Sequence, residues 1–284
     1  MEKIKHLITG SGFISSHLNK KLINSLMIDV TDGYDIRDYP SIETIFEEHR
    51  PETITHLAAH HPLKLGERNP VGSAMINIVG TLNLLLLAKK YNCKFIYAST
   101  GAIYGNIDSA EPVKEEGTFY PESFYGVSKL AAEQYVLHFA KKRELEAMIV
   151  RFSSVYGPRR REGPINQMLE AAMKTGNVTI FGDGEITRDY TYIDDVIDGL
   201  LLCVKGYVPF DDIYNIASGV ETSLNQVVTA ISKVVGAVIT EYQEERPGDI
   251  KRNYFDISKI SQFGYKPKVD INEGIRRLFN ELQA

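Results

Sequence analysis

The chain has 284 residues, of which 43% are hydrophobic, 24% charged and 10% aromatic. Such near-average proportions exclude a disordered, collagen-like or disulfide-stapled chain and leave one large domain or two unequal ones. Lys and Arg number 32 against 37 Asp and Glu, a net charge of −5, and with no basic block this argues against a nucleic-acid partner.

Residues 1–8 are short and charged and run straight into a turn, so they read as a strand rather than a signal peptide. Residues 5–9 form that strand, which ends in Gly10-Ser11-Gly12. A helical pattern over 13–23 follows, then a strand over 26–28 ending in Asp29, a helix over 41–50 closed by Pro51, and a strand over 53–58. A long helix spans 71–90, with Met75, Ile78, Leu82 and Leu85 at helical spacing. A buried strand over 94–98, a helix over 123–142 with Ser123 as N-cap, and a strand over 147–152 complete the first half. Strands alternating with helices predict an α/β fold: a Rossmann-type, doubly wound parallel sheet covered on both faces. Beyond Tyr156-Gly157-Pro158 the pattern turns irregular. The predicted division is therefore an α/β domain over 1–155, completed by segments near 189–218, and a smaller lobe over 156–284. Two cysteines, Cys93 and Cys203, stand in apolar contexts and read as buried free thiols. The longest apolar runs, 84–88 and 200–204, fall far short of the roughly 18 residues a membrane helix needs. The expectation is a cytoplasmic protein without a membrane partner.

The first chemical motif is Gly10-Ser11-Gly12-Phe13-Ile14-Ser15, between the first strand and the first helix. A dinucleotide pyrophosphate meets backbone N–H groups and the positive helix end at such a place. Gly10 permits the tight turn, Gly12 lets phosphate oxygens approach, and Ser15 stands where glycine or alanine would allow the closest packing. Asp29, about 20 residues on, is placed for the two adenosine ribose hydroxyls and would repel a 2′-phosphate, so NAD is favoured over NADP.

The second motif is Tyr125-Gly126-Val127-Ser128-Lys129, which puts a phenol and a cation on one face of a helix. Upstream, Ser99-Thr100-Gly101-Ala102-Ile103-Tyr104-Gly105 follows the strand over 94–98, at the carboxyl edge where parallel sheets bind ligands. A free tyrosine has a pKa of about 10, so working near neutrality needs a shift of roughly 3 units, about 4 kcal/mol. One cation about 4 Å away at an effective dielectric near 20 supplies energy of that order.

With these motifs the chain resembles the extended short-chain dehydrogenase/reductases, specifically the NAD-dependent nucleotide-sugar epimerase/dehydratase group. The resemblance runs the full length: Leu57-Ala58-Ala59, Asn77-Ile78-Val79-Gly80-Thr81, the stretch from Arg151 to Pro158, Gly182-Asp183-Gly184 leading to Arg188-Asp189-Tyr190, Tyr214-Asn215-Ile216-Ala217-Ser218-Gly219, and Arg246-Pro247-Gly248-Asp249. It implies Tyr125 as acid/base, Lys129 as the residue that orients the cofactor ribose and lowers the phenol pKa, and Thr100 as the hydroxyl on the sugar. It further implies NAD contacts from Gly10, Gly12, Phe13, Ile14, Asp29, Asp35, Ile36, Leu57, Ala58, Ala59, Asn77 and Ser99. Arg188 and Arg246 match the arginines that hold the substrate diphosphate, and Ser154 stands where the family often has an asparagine near the sugar. Relatives dimerise through the two long helices, so a homodimer is implied.

Three departures stand out. The Gly-rich turn is one residue short, Asp29 and Asp35 are only six apart so that a strand-helix portion is missing, and Ser154 replaces the asparagine. The compact spacing looks more like the 4-keto-sugar reductases. Against that, the related 4,6-dehydratases carry Asp-Glu where this chain has Gly101-Ala102. The sequence thus points to an NAD-dependent nucleotide-sugar epimerase inverting C4 through a 4-keto intermediate. A 4-keto nucleotide-sugar reductase is the alternative, and a non-catalytic NAD-binding regulator a third reading. No metal is expected: His60-His61-Pro62 lacks a third ligand and reads as a loop. Asp194-Asp195 reads as a helix start, and Arg159-Arg160-Arg161 as a solvated loop.

Overall fold

The computed structural model describes residues 4–60, 69–107, 109–142, 144–160, 163–245 and 250–283. They divide into two compact units: unit 1 comprises Met1–Ile103, Phe119–Arg151 and Gly199–Tyr214, and unit 2 comprises Tyr104–Thr118, Phe152–Asp198 and Asn215–Ala284. The division thus falls after Arg151 rather than at residue 155, and the segment that completes unit 1 is 199–214 rather than 189–218. The sequence pattern also missed that Tyr104–Thr118 goes with unit 2. The reason is contacts remote in sequence: Val113 bridges Phe255, and the Tyr104 hydroxyl donates to Asn215 Oδ1 at 2.9 Å.

Unit 1 is built on a six-stranded sheet of order β2-β1-β3-β4-β5-β9, formed by β1 (His6–Thr9), β2 (Ser25–Ile28), β3 (Thr53–His56), β4 (Lys94–Thr100), β5 (Ala147–Phe152) and the start of β9 (Ile213–Ile216). The pairs β1–β2, β1–β3 and β3–β4 are parallel. A doubly wound sheet of the usual order 3-2-1-4-5-6 carries another strand outside its second; here β2 is the edge. After β2 the chain makes one short turn, Val30–Asp32, and enters α2 (Tyr39–His49) directly. The six-residue spacing of Asp29 and Asp35 is the sequence trace of that missing strand.

Helix ends follow local chemistry. Asp38 caps α2 by accepting from the Ser41 N–H, and Arg50 ends it in the left-handed region at φ 46°. The first helix, α1 (Phe13–Asn19), is shorter than its apolar pattern, because Asn24 (φ 57°) turns the chain into β2. The helix α3 (Pro70–Tyr91) contains a π-helical turn at Met75–Gly80. Over 18 of its residues mean hydropathy is 1.8, so α3 alone among the described residues is long and apolar enough to cross a membrane. Runs of consecutive apolar residues do not reveal this. Its apolar face is used inside unit 1: Leu84, Leu85, Leu87 and Ala88 join Ile42, Phe46, Phe95 and Ile149 in the core. Each large side chain buried there contributes roughly 1.5–3 kcal/mol. Ser123 caps α4 (Phe124–Lys141) as its sequence position predicts, accepting from the Gly126 N–H.

Unit 2 is more regular than its composition suggests. The strand β8 (Thr187–Tyr192) pairs with β6 (Ser154–Tyr156), β10 (Glu221–Ser223) and β12 (Arg252–Asn253), and β7 (Asn177–Phe181) pairs with β11 (Ile239–Gln243). Helices α5 (Pro164–Thr175), α7 (Leu224–Val235) and α8 (Ile271–Gln283) pack against one another. Between β8 and β9 runs α6 (Ile193–Val204), with Asp194 and Asp195 in its first turn. Asp195 accepts from the Lys268 and Val269 N–H groups, so this pair anchors backbone.

Candidate active site

The Gly-rich turn is held from three sides. Gly10 sits at φ +86°, and a Cβ there would come within 2.8 Å of the Ala58 Cα, so any other residue is both strained and in collision. The Gly10 N–H donates to the Ile28 carbonyl, and the Ser11 N–H donates to Asp29 Oδ2 at 2.8 Å. The other Asp29 oxygen accepts from the Thr31 N–H and hydroxyl, both at 2.9 Å. Partial burial works against the Asp29 charge, but the N–H groups of Thr31 and Ser11 outweigh it and hold the carboxyl below its usual range. Gly12 is the N-cap of α1 and has no side chain to offer its first turn. Ser15 is buried, and its hydroxyl donates to the Gly12 carbonyl. Phe13 packs edge-on against His17, and Ile14 is half-buried.

At the ends of β1 and β3 the Leu57 N–H donates to the Thr9 carbonyl, and Ala58 lies beneath Gly10; Leu57, Ala58 and Ala59 are half-buried. Sequence reasoning overlooked His56, which is fully buried here. The Thr81 hydroxyl donates to the Asn77 carbonyl, so its oxygen accepts from His56 Nε2, leaving Nδ1 to accept from the Thr9 hydroxyl. Burial, and then the charge of Lys129, push the imidazole well below its usual pKa, so it is neutral. Within the π-helical turn, Asn77 donates to the Ser128 hydroxyl at 2.9 Å and accepts from the His60 N–H at 2.8 Å. Its amide thereby ties α3 to the helix bearing Tyr125 and Lys129. Such turns recur at functional sites. His60 is also linked to Ser73, His61 lies outside the described residues, and no cluster of metal-ligating side chains occurs among the described residues. Asp35 pairs with Arg37, and Ile36 is buried against Gly80.

The strand β4 runs two residues beyond its apolar stretch and so includes Ser99 and Thr100. Thr100 accepts from the Ala102 N–H, which starts the turn Gly101–Ile103. A Cβ on Gly126 would approach the Ala102 carbonyl oxygen to 3.0 Å and the Pro121 side chain to 2.9 Å. Glycine at 126 therefore lets α4 start hard against the turn that follows Thr100. Tyr125, half-buried, and Lys129, buried, stand one helical turn apart, with Cβ atoms about 5–6 Å apart. The Lys129 ammonium lies over the Tyr97 ring, 4.1 Å from its centroid. Burial pushes the lysine down to about 7, against the opposing pull of Glu133. Glu133 in turn is forked by Arg151, at 3.0 and 2.7 Å. The helix spacing of Lys129 and Glu133 could have signalled the carboxylate, but nothing in sequence pairs it with Arg151.

In unit 2, Ser154 opposes Tyr190, two residues from Arg188 on the same strand. The Arg188 guanidinium donates to the Thr187 carbonyl. Neighbouring Asp189 is buried and accepts from the Ser218 N–H and hydroxyl and the Gly219 N–H, fixing that turn. Arg246 and Arg161 lie outside the described residues.

The family model described as GDP-mannose 4,6 dehydratase matches residues 15–278. A putative UDP-glucose 4-epimerase of Methanocaldococcus jannaschii is 34% identical over 96% of this chain and 97% of its own length. The chain belongs to the nucleotide-sugar epimerase/dehydratase family of extended short-chain dehydrogenases. Two solved structures of that family share its fold closely. One is a Thermotoga maritima UDP-glucose 4-epimerase with UDP-glucose, at TM-score 0.89 and 33% identity over 99% of both chains. The other is a Thermus thermophilus UDP-glucose 4-epimerase complex with NAD, at TM-score 0.90 and 30% identity over 99% of both chains. Epimerases, dehydratases and a reductase are all among the family's matches, so the comparisons establish the enzyme class rather than one reaction.

The residues present fit the family's NAD. The Ser99 hydroxyl is buried with no hydrogen-bond partner among the described residues, as a group awaiting a ligand would be. The turn at Gly12 leaves open space within 3.9 Å of the Cβ position. With Asp29 held ionised, NAD(H) is expected to bind at least about tenfold more tightly than NADP(H), the scale of one hydrogen bond to a charged group. Calorimetric titration of Asp29→Ala should show that ratio collapsing toward one. Equal affinities in the unaltered protein would mean that the shortened segment has rearranged this corner.

Proposed function

We propose that the chain is an NAD-dependent nucleotide-sugar epimerase that inverts C4 through a transient 4-keto sugar. The observation that carries the reading is the end of β4. Tyr125, Lys129 and Thr100 supply a phenol, a cation and a hydroxyl, while the two residues after Thr100 are Gly101 and Ala102, neither of which can take or give a proton. A dehydratase must remove a proton at C5 and protonate the hydroxyl leaving C6, and this turn offers no group for either step. Bound NAD would supply hydride acceptance and return. Tyr125 takes the C4 hydroxyl proton and gives it back, Thr100 hydrogen-bonds the same oxygen, and Lys129 lowers the cost of the phenolate. Gly10, Gly12, Phe13, Ile14, Asp29, Asp35, Ile36, Leu57, Ala58, Ala59 and Ser99 are the proposed cofactor-facing residues of unit 1. For Asn77, whose amide is taken up by Ser128 and His60, we propose a positioning part beside them. From unit 2, Arg188 and Arg246 are proposed for the diphosphate, where a guanidinium fork suits paired oxygens, and Ser154 for the sugar.

Incubating the protein with UDP-glucose, UDP-N-acetylglucosamine and UDP-glucuronic acid should yield C4 epimers by NMR with no net change at 340 nm. A 4-keto-6-deoxy product would overturn the reading. The second reading, a reductase of 4-keto nucleotide sugars, is favoured by one feature, the edge position of β2. It predicts stoichiometric loss of reduced cofactor instead.

We also propose a cytoplasmic homodimer. Val71, Met75 and Leu86 on α3 and Phe124, Val127 and Tyr135 on α4 are large apolar side chains left exposed, a pattern that marks association surfaces. Leu86→Glu should convert a dimer to a monomer in sedimentation. A monomeric unaltered protein would remove this assignment.

A further inference from the structure

We propose that Tyr97 is a positioning residue whose ring face holds the Lys129 ammonium charged inside unit 1. The proposal builds on the reading of Tyr125 and Lys129 as the proton-transfer pair.

An ammonium taken from water is driven toward its neutral form, and Lys129 is only 2% exposed. A neutral amine would do nothing for a phenolate, so something nearby must stabilise the charge. The titratable and charged groups around it come from four elements. On its own helix are Tyr125 and Glu133. From β3 comes His56, which burial and then the Lys129 charge itself keep neutral. From β5 comes Arg151, whose fork takes both Glu133 oxygens and so divides that carboxylate's attraction. From β4 comes Tyr97. Among the described residues no carboxylate or carbonyl oxygen forms a hydrogen bond or ion pair with the Lys129 ammonium; its recorded close contact is the ring, 4.1 Å from the centroid. A desolvated cation over a phenol face gains enough to move its pKa by about one unit. The seat also fixes direction: Tyr97 lies fully buried three residues before Thr100 on the same strand, so the ammonium is held by the element that carries the sugar-facing hydroxyl.

The test keeps the shape of the ring and drains its negative face. Tyr97→Phe retains the face, whereas 4-fluoro- and 3,4,5-trifluorophenylalanine incorporated at position 97 weaken it stepwise at nearly constant volume. The readout is the Lys129 titration, followed by the ε-carbon NMR signal in substrate-free protein and assigned by its loss in Lys129→Met. Tyr97→Phe should leave that titration within a few tenths of a unit, and the trifluoro ring should lower it by about one unit. In turnover, kcat near neutral pH should fall about tenfold and its alkaline limb should move to lower pH, because the lysine then loses its charge earlier, with KM changed little. A titration that ignores ring fluorination would overturn the proposal. So would Tyr97→Phe shifting it as far as the trifluoro ring, since the hydroxyl would then be the group that matters. If the titration moves as expected while the unaltered protein turns over no nucleotide sugar, the seat stands and the proton-transfer reading fails.

Discussion

Tyr125→Phe should lower kcat by about 10²–10⁴-fold, the range that a single positioned acid/base supplies. Cofactor and nucleotide-sugar affinity should stay within a few-fold. The phenol is half-buried at the start of α4, and phenylalanine keeps its ring and volume there. What disappears is the oxygen proposed to take the C4 hydroxyl proton and return it. Single-turnover measurement of sugar oxidation, alongside calorimetric binding of NAD, separates the two effects. Near-normal turnover would move the proton to another group and remove the present assignment of Lys129 along with that of Tyr125.

Arg151→Met should be the most damaging change to stability outside the apolar core. Arg151 and Glu133 are 1% and 0% exposed, and the guanidinium forks both carboxylate oxygens. Removing one partner strands the other charge in the interior, at a cost of about 3–5 kcal/mol. For a chain of this size that corresponds to a fall in Tm of roughly 10 °C. The arginine also lies over the Phe119 ring, 4.8 Å from its centroid, so packing is lost too. Adding Glu133→Leu should recover part of the loss, because paired apolar replacements are often tolerated where single ones are not. Thermal unfolding of the single and double variants gives the answer. A double variant less stable than Arg151→Met would show that Glu133 has further work, such as attracting Lys129.

Much of unit 1 is legible in the sequence because its signals are local. Period and punctuation place β1, β2, β3, β5, α2 and α4 to within a few residues, and Ser123 marks the start of α4. Asp29 is legible from its distance to the glycines, a spacing that the sheet itself imposes. Three things are not legible. The π-helical turn adds a residue to one helical turn without altering the apolar pattern enough to show. The bonds joining Thr9, His56 and Thr81 link residues 47 and 25 apart, and no periodicity encodes a partner so remote. Unit 2 reads as irregular because its strands are two to six residues long, too short for alternation to rise above loop composition.

The position of β2 has a consequence for self-association. An edge strand offers a row of backbone donors and acceptors to any extended chain that meets it, which is how sheets recruit unwanted neighbours. Here that row is four residues long. At one end Asn24 bends the backbone through the left-handed region, and at the other the Asp29 side chain folds the chain into the Val30–Asp32 turn. An incoming strand finds two breaks with too few partners between them to hold it. The same carboxylate that steadies the Gly-rich turn therefore also limits how much template the compact sheet exposes.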